Sequence, residues 1–278
     1  MSETTEVKPA TEFATSKDGT RIAFERAGSG PVLVLVDGAL CFREFGPARD
    51  VSAQLTDRFT VVIYDRRGRG ESGDTKPYDP QREFEDLGAV IAATTTAPGD
   101  GAYVMGQSSG AGIVYRAAAA GVPMRKLIGY EAPWVGLRAG KDGRPRDYLG
   151  ELDSLVAAGE NGKAVGYFMV KMVGGPFFLP LMMRMMPKIW KQLTAVATTL
   201  PHDARVMGGD FVPPVDELAK ITVPSLVLCG GKSPKEMMSA QEQVAAAIPG
   251  ALRRILPGQT HQVSPSTLAP VLAEFFAG

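Results

Sequence analysis

The stretch Tyr103-Val104-Met105-Gly106-Gln107-Ser108-Ser109-Gly110 constrains the fold of this chain more than any other. An apolar run ends in Gly-x-Ser-x-Gly, and a small, apolar segment from Ala111 to Ala120 follows it. That order predicts a buried strand, a tight turn and a helix packed closely on a sheet. Glycines flank Ser108 because a strand folding sharply into a helix leaves little room for a Cβ. Ser108 then sits on a strained corner with its hydroxyl pushed outward, the placement of a nucleophile. The alternative is a glycine-rich turn in which Ser108 only caps the helix.

The rest of the chain alternates in the same way. Residues 12–16 and 21–26 read as two strands joined at Asp18-Gly19, a strong hairpin signal. Pro31–Val36, Phe59–Tyr64, Lys126–Tyr130 and Ser225–Cys229 are short apolar runs, as expected of parallel strands covered on both faces. Leu252–Leu256 reads as a last strand. Helical patterns fall near Phe45–Leu55, Arg82–Thr95, Lys235–Ile248 and Ser266–Ala277. Strands alternating with helices predict an α/β fold with a doubly wound, mostly parallel sheet. Between residues 135 and 214 there are helical stretches and no clear buried strand. The expected organisation is therefore a disordered tail at 1–11, a core at 12–134 and 215–278, and an inserted helical cap at 135–214.

Composition limits the functional classes. With 30 basic and 30 acidic residues in 278, the balanced charge offers no footprint for nucleic acid or an anionic membrane. Cys41 and Cys229 stand far apart, which fits a reducing cytoplasm better than a disulfide framework. No apolar run reaches transmembrane length, and the N-terminus lacks a secretory apolar region. The cysteines and two histidines lack metal-ligand spacing, so no metal and no cofactor are expected. Oligomeric state is left open.

A serine hydroxyl needs a base. His261 follows the last strand in Gly258-Gln259-Thr260-His261, where its loop should open on the same rim as Ser108. The competitor, His202, lies in the expected cap and reads as a surface or cap residue. The base in turn needs an acid to set its tautomer. The slot after Leu226–Cys229 reads Gly230-Gly231-Lys232-Ser233-Pro234, without a carboxylate. Glu131, at the end of the strand after the one carrying Ser108, is the candidate acid, with Glu236 and Asp210 as weaker alternatives. Oxyanion donors are expected from the N–H of Ser109 and from Gly38 or Ala39 in the loop after Val36. Asp37 should brace that loop rather than face the oxyanion. Arg66-Arg67-Gly68-Arg69 reads as a structural loop whose charges pair with Asp65, Glu71 and Asp74; the alternative is contact with an acidic substrate.

These motifs resemble those of the α/β-hydrolase superfamily from about Phe13 to the C-terminus. The resemblance rests on Val36-Asp37-Gly38, the run Asp65 to Ser72, Gly106-Gln107-Ser108-Ser109-Gly110 and Gly258-Gln259-Thr260-His261. More narrowly, the chain is similar to bacterial hydrolases with Tyr130-Glu131-x-Pro133 after the sixth strand. Asp37-Gly38, the doubled serine Ser108-Ser109 and Glu131 near a proline also resemble the fungal zearalenone lactonases. That resemblance implies that Glu131 completes the triad. Serine at the elbow argues against haloalkane dehalogenases and epoxide hydrolases, which carry aspartate there.

The expected function is a cofactor-independent serine hydrolase, cytoplasmic, cleaving an ester or lactone of an apolar small molecule through Ser108, His261 and Glu131. Methionines crowd the expected cap, and methionine adapts to irregular apolar ligands. Trp134, Met169, Met182, Met186 and Trp190 are the candidate pocket; simple packing of cap on core is the competing reading. Other chemistry on the same fold (a cyclase, a carbon–carbon bond hydrolase, a cofactor-free oxygenase) and a non-catalytic ligand-binding protein are the alternatives.

Overall fold

A computed structural model describes residues 9–97, 99–140 and 143–278. The expected tail lies mostly outside the described residues. Thr11, at its end, is held: its hydroxyl donates to Glu71 Oε2 at 3.0 Å and accepts from Arg43 Nη1 at 3.1 Å.

Eight strands form one sheet. They are β1 (Glu12–Thr15), β2 (Arg21–Ala27), β3 (Val32–Val36), β4 (Thr60–Tyr64), β5 (Ala102–Gln107), β6 (Met124–Tyr130), β7 (Ser225–Gly230) and β8 (Leu252–Leu256). Their spatial order is β1-β2-β4-β3-β5-β6-β7-β8. β1 and β2 are antiparallel to their neighbours, and every later pairing is parallel. Order reverses at β3, which lies between β4 and β5. The crevice beyond the carboxyl ends of β3 and β5 is thus the expected ligand position in an open parallel sheet.

Helices cover both faces. α1 (Ala48–Ala53) and α11 (Pro265–Ala277) pack on one side, where Val51, Leu268 and Leu272 meet Leu33, Leu35 and Ile63. α2 (Pro80–Thr94) and α3 (Ser109–Ala119) pack on the other, against Val34, Val36 and Val104. α2 starts where Asp79 accepts the Gln81 N–H and Pro80 supplies the first helical φ.

Between β6 and β7 the described chain is helical: α4 (Tyr148–Ala157), α5 (Asn161–Tyr167) with a π-helical continuation at Phe168–Met172, α6 (Leu179–Arg184), α7 (Pro187–Ala195), α8 (Leu200–Val206) and α9 (Val215–Leu218). Pro180, Pro187 and Pro201 each lie in the first turn of a helix, which is why the segment breaks into short pieces. Its buried residues, among them Leu152, Val165, Leu200 and Val206, join the same apolar cluster as the α2–α3 face of the sheet. α10 (Lys235–Ala247) returns the chain to β8, an edge strand whose Arg253 and Arg254 blunt further pairing.

Candidate active site

The elbow forms where the sequence reading places it. β5 ends at Gln107, Ser108 takes φ 57° and ψ −128°, and α3 starts at Ser109. A Cβ at Gly106 would collide with the Gly110 carbonyl, and one at Gly110 with the Val36 carbonyl, so only glycine lets strand and helix meet here. Ser108 is partly exposed at the rim. A Cβ on Gly38 would lie 2.8 Å from Ser108 Cβ and 3.4 Å from Ser108 Oγ, so the loop after β3 presses directly against the serine.

Only four non-glycine residues among those described have positive φ: Leu40, Ser108, Glu131 and Phe211. Such a conformation costs roughly 1–3 kcal/mol at each position and persists only where the surroundings enforce it. Three of the four surround this rim: Leu40 in the β3 loop, Ser108 on the elbow and Glu131 directly after β6.

Glu131 is fully buried and reaches His261: Oε2 lies 2.8 Å from Nδ1. Its other oxygen, Oε1, accepts three donors: the Gly230 N–H at 2.7 Å, the Ser233 hydroxyl at 2.5 Å and the Cys229 thiol at 3.3 Å. Burial alone would raise the Glu131 pKa; the hydrogen bonds from His261, Ser233 and Gly230 outweigh it and hold the carboxyl below its ordinary value. Burial, reinforced by the adjacent carboxylate, pushes the Cys229 thiol up to about 12, so it stays a neutral donor. Glu236, by contrast, lies in the first turn of α10, and Asp210 accepts the Val212 N–H at 3.1 Å.

The His261 loop is tied to the elbow by its backbone. Gln107 Nε2 donates to the His261 carbonyl at 3.1 Å, and the Tyr130 hydroxyl donates to the Thr260 carbonyl. The Ser108 N–H donates to the Tyr130 carbonyl at 2.9 Å. Ser108, Glu131 and His261 therefore share one rim. The serine hydroxyl and the imidazole are not directly hydrogen-bonded to each other.

His202 is buried rather than on the surface. It stacks on Tyr78 with ring centroids 3.8 Å apart and 6° between planes. Burial lowers its pKa to about 4, so the ring is neutral.

The arginines pair differently from the sequence expectation. Asp65 and Glu71 are taken by Arg43, at 3.1 and 2.5 Å. Arg67 binds Asp86 at 2.7 Å and Asp18 at 3.2 Å. Arg66 clasps Glu83 with two hydrogen bonds and Asp203 with a third. Arg69 binds the other oxygen of Asp203 at 2.7 Å. All three arginines are fully buried and matched by carboxylates, which removes the reading of an anion site.

Asp203, on α8, carries this network to the rim. Its Oδ1 also accepts the Ser109 hydroxyl at 2.6 Å. Burial works against its charge, but Arg69 and Arg66 hold its pKa down at about 2. The arginines in turn hold the β3 loop: Arg66 donates to the Asp37 carbonyl at 3.4 Å, and Arg69 to the Gly38 carbonyl at 2.6 Å. In a trans peptide the following N–H points away from the carbonyl, so the Gly38 and Ala39 N–H groups are turned away from the arginines. Sequence reasoning missed Asp203 because nothing local in Pro201-His202-Asp203 signals a partner more than a hundred residues upstream.

Asp37 braces its loop as expected. Its carboxyl accepts the Ala48 N–H, and burial pushes its pKa up to about 7 against the pull of that bond and of Arg69 and Arg66.

The pocket candidates separate. Trp134 is a core residue, with Nε1 donating to the Met207 carbonyl at 2.9 Å and its ring beside Tyr115. Its indole is thus held by core packing, and the residue also borders a cavity with Val135, Val212 and Glu236. Met169 and Trp190 are partly buried against the main cluster. Met182 and Met186 are exposed.

A parallel sheet with a serine elbow at its switch point defines an α/β-hydrolase fold. The chain belongs to the alpha/beta hydrolase family, whose model matches residues 28–273. It is similar to an alpha/beta hydrolase from Sphaerobacter thermophilus, 46% identical, covering 95% of this chain and 100% of that one at a TM-score of 0.83. An enol-lactonase from Burkholderia xenovorans shares the fold at 18% identity and a TM-score of 0.67, over 96% of this chain and 100% of that one. Among curated proteins it resembles an uncharacterized hydrolase of Bacillus subtilis, YraK, 35% identical over 96 residues. That match spans 34% of each chain, about a third of the relative's length.

Proposed function

We propose that this chain is a cofactor-independent serine hydrolase that cleaves an ester or lactone of an apolar small molecule. One observation carries the reading: a buried, ionised Glu131 holds Nδ1 of His261 at 2.8 Å on the rim that presents Ser108. With Nδ1 engaged, Nε2 is the nitrogen free to accept a proton. Ser108 Oγ attacks the carbonyl carbon while Nε2 takes its proton, and Glu131 stabilises the imidazolium. The tetrahedral oxyanion is held by the N–H of Ser109, at the start of α3, and by that of Gly38 or Ala39. As the intermediate collapses, the carbon–oxygen bond of the leaving alcohol breaks and the alcohol takes the proton from His261. Water, deprotonated by the same nitrogen, then releases the acid from Ser108.

The helical segment from about residue 135 to 214 acts as the cap. Met169 and Trp190, on its inner side, are the better candidates for substrate contact. The absence of a free buried cation on the Arg66–Arg69 loop supports a neutral, apolar substrate.

Labelling with a fluorophosphonate, read by intact mass, tests the mechanism. Wild type should gain one adduct and Ser108→Ala none. Glu131→Gln should label about 100-fold more slowly or worse, as expected when the acid that sets the histidine tautomer is lost. A wild type that takes no label, or a Ser108→Ala variant that labels equally, overturns the reading.

A further inference from the structure

The helical insertion has an unusual outer surface. Twelve large hydrophobics stand exposed among the described residues, and seven of them fall between Val173 and Met186. They therefore form a patch rather than the scatter normal for a protein surface. Phe177 is 86% exposed and Met185 79%; Phe178, Leu181, Met182 and Met186 are about half exposed or more. α6 and the turns around it leave these side chains exposed rather than packed into the core.

The charges around the patch are one-sided. No aspartate or glutamate occurs between Glu160 and Asp203, whereas Lys163, Lys171, Arg184, Lys188 and Lys191 do. Lys163 is paired with Glu160 at 2.7 Å. Lys171, Lys188 and Lys191 are exposed and form no ion pair among the described residues. Arg184 lies 5.1 Å over the Trp190 ring. The whole chain is neutral, but this tip carries an apolar face rimmed by cations alone.

We propose that the tip formed by residues 173–191 is a membrane-docking face that seats on the surface of an anionic phospholipid bilayer. Exposed aromatic and aliphatic side chains enter the headgroup boundary, and the flanking lysines meet lipid phosphates; this pairing of apolar face and basic rim is the physical signature of interfacial binding. No described helix is long and apolar enough to cross a membrane, so the contact is peripheral. A second copy is a poorer occupant. A two-fold contact through this patch would set the cations against their own copies with no carboxylate between them. The proposal does not depend on what Ser108 does.

Co-sedimentation with vesicles tests it on the full chain. Vesicles of phosphatidylcholine alone are compared with vesicles of phosphatidylcholine and phosphatidylglycerol. Wild type should bind the anionic vesicles and lose binding in high salt. Phe177→Asp/Met185→Asp should abolish binding. Lys188→Gln/Lys191→Gln should weaken it about 25-fold, because each surface cation contributes about fivefold. These residues are exposed, so circular dichroism and fluorophosphonate labelling should match wild type. Three outcomes overturn the proposal: no binding to either vesicle, equal binding to both, or a concentration-dependent dimer without lipid that the Phe177→Asp/Met185→Asp variant abolishes.

Discussion

At the scale of single residues, Glu131→Gln has a definite stereochemical outcome. Gly230 N–H and Ser233 O–H both donate to Oε1, so the amide oxygen must occupy that side. The amide NH2 then faces His261 Nδ1. Facing a donor, Nδ1 becomes the acceptor, and Nε2 carries the proton and cannot serve as a base. The variant should therefore fold and be slow, with an unchanged fluorophosphonate site and a rate lowered 100-fold or more. His202 predicts a pH effect of known sign. Its ring is held neutral by burial, although Glu83, Asp74 and Asp203 pull the other way, so the native pKa of about 4 lies below the ordinary 6.5. The unfolded chain takes up the proton first as pH falls. This contribution is complete above pH 6.5 and is lost between there and about pH 4, by roughly 3 kcal/mol at 1.36 kcal/mol per pH unit. His202→Phe keeps a stacking ring on Tyr78 but cannot titrate. In urea melts from pH 7 to pH 4, wild type should lose roughly 3 kcal/mol relative to His202→Phe as pH falls; parallel curves would refute the assignment. Ser108 and Glu131 could be placed from the sequence because each directly follows an apolar strand, and His261 because it lies in the loop after the last strand, where chain order predicts the rim. Ser233 was legible only as a missing carboxylate, since its use as a donor to Glu131 depends on how β6 lies beside β7.

At the scale of elements, α8 is tied to the β3 loop through Asp203, Arg66 and Arg69. Asp203→Asn should cost about 3–5 kcal/mol, because it leaves a buried guanidinium short of a carboxylate. It should also slow labelling at Ser108, since Arg69 is what holds the Gly38 carbonyl. Asp86→Asn is the control. It weakens the equally buried Arg67 pair, which touches neither Asp37 nor Gly38, so it should lower stability while the labelling rate stays near wild type. Equal slowing in both variants would show that stability, not loop position, sets the rate. The strands matched expectation to within one or two residues, since alternation and apolar runs report directly on sheet faces. α1 proved shorter, Ala48–Ala53 against an expected 45–55, because Phe42 and Phe45 pair their backbones and Pro47 sets the start. The arginine partners were not legible at all. Proximity in sequence favoured Asp65, Glu71 and Asp74, whereas Glu83, Asp86 and Asp203 are brought in by helix packing.

For the whole molecule, one apolar cluster runs from the sheet into the helical segment. That continuity predicts a single cooperative unfolding step. The two tryptophans make it measurable: Trp134 is buried beside the sheet and Trp190 lies on α7. Fluorescence of Trp134→Phe and of Trp190→Phe, each reporting the remaining indole, should give the same urea midpoint as far-ultraviolet circular dichroism. An earlier Trp190 transition would mean that the insertion melts by itself. The layered α/β architecture was legible from pattern, but the exposed tip was not. Its methionines read as core or pocket in the sequence, since composition cannot say which face of a short helix is left uncovered.

The hydroxyl of Ser233 within 2.5 Å of Glu131 has a consequence for the history of such a site. An aspartate at 233 would put a second carboxyl against the first, and two such groups in a dry pocket share one proton and one negative charge. The site accommodates a single anion, on the end of β6 or on the end of β7, and the unoccupied end must offer a donor. A lineage that moves its acid between the two strands therefore cannot pass through a fully charged intermediate holding both. It must exchange acceptor for donor at one end and donor for acceptor at the other, with the histidine depending on whichever anion remains.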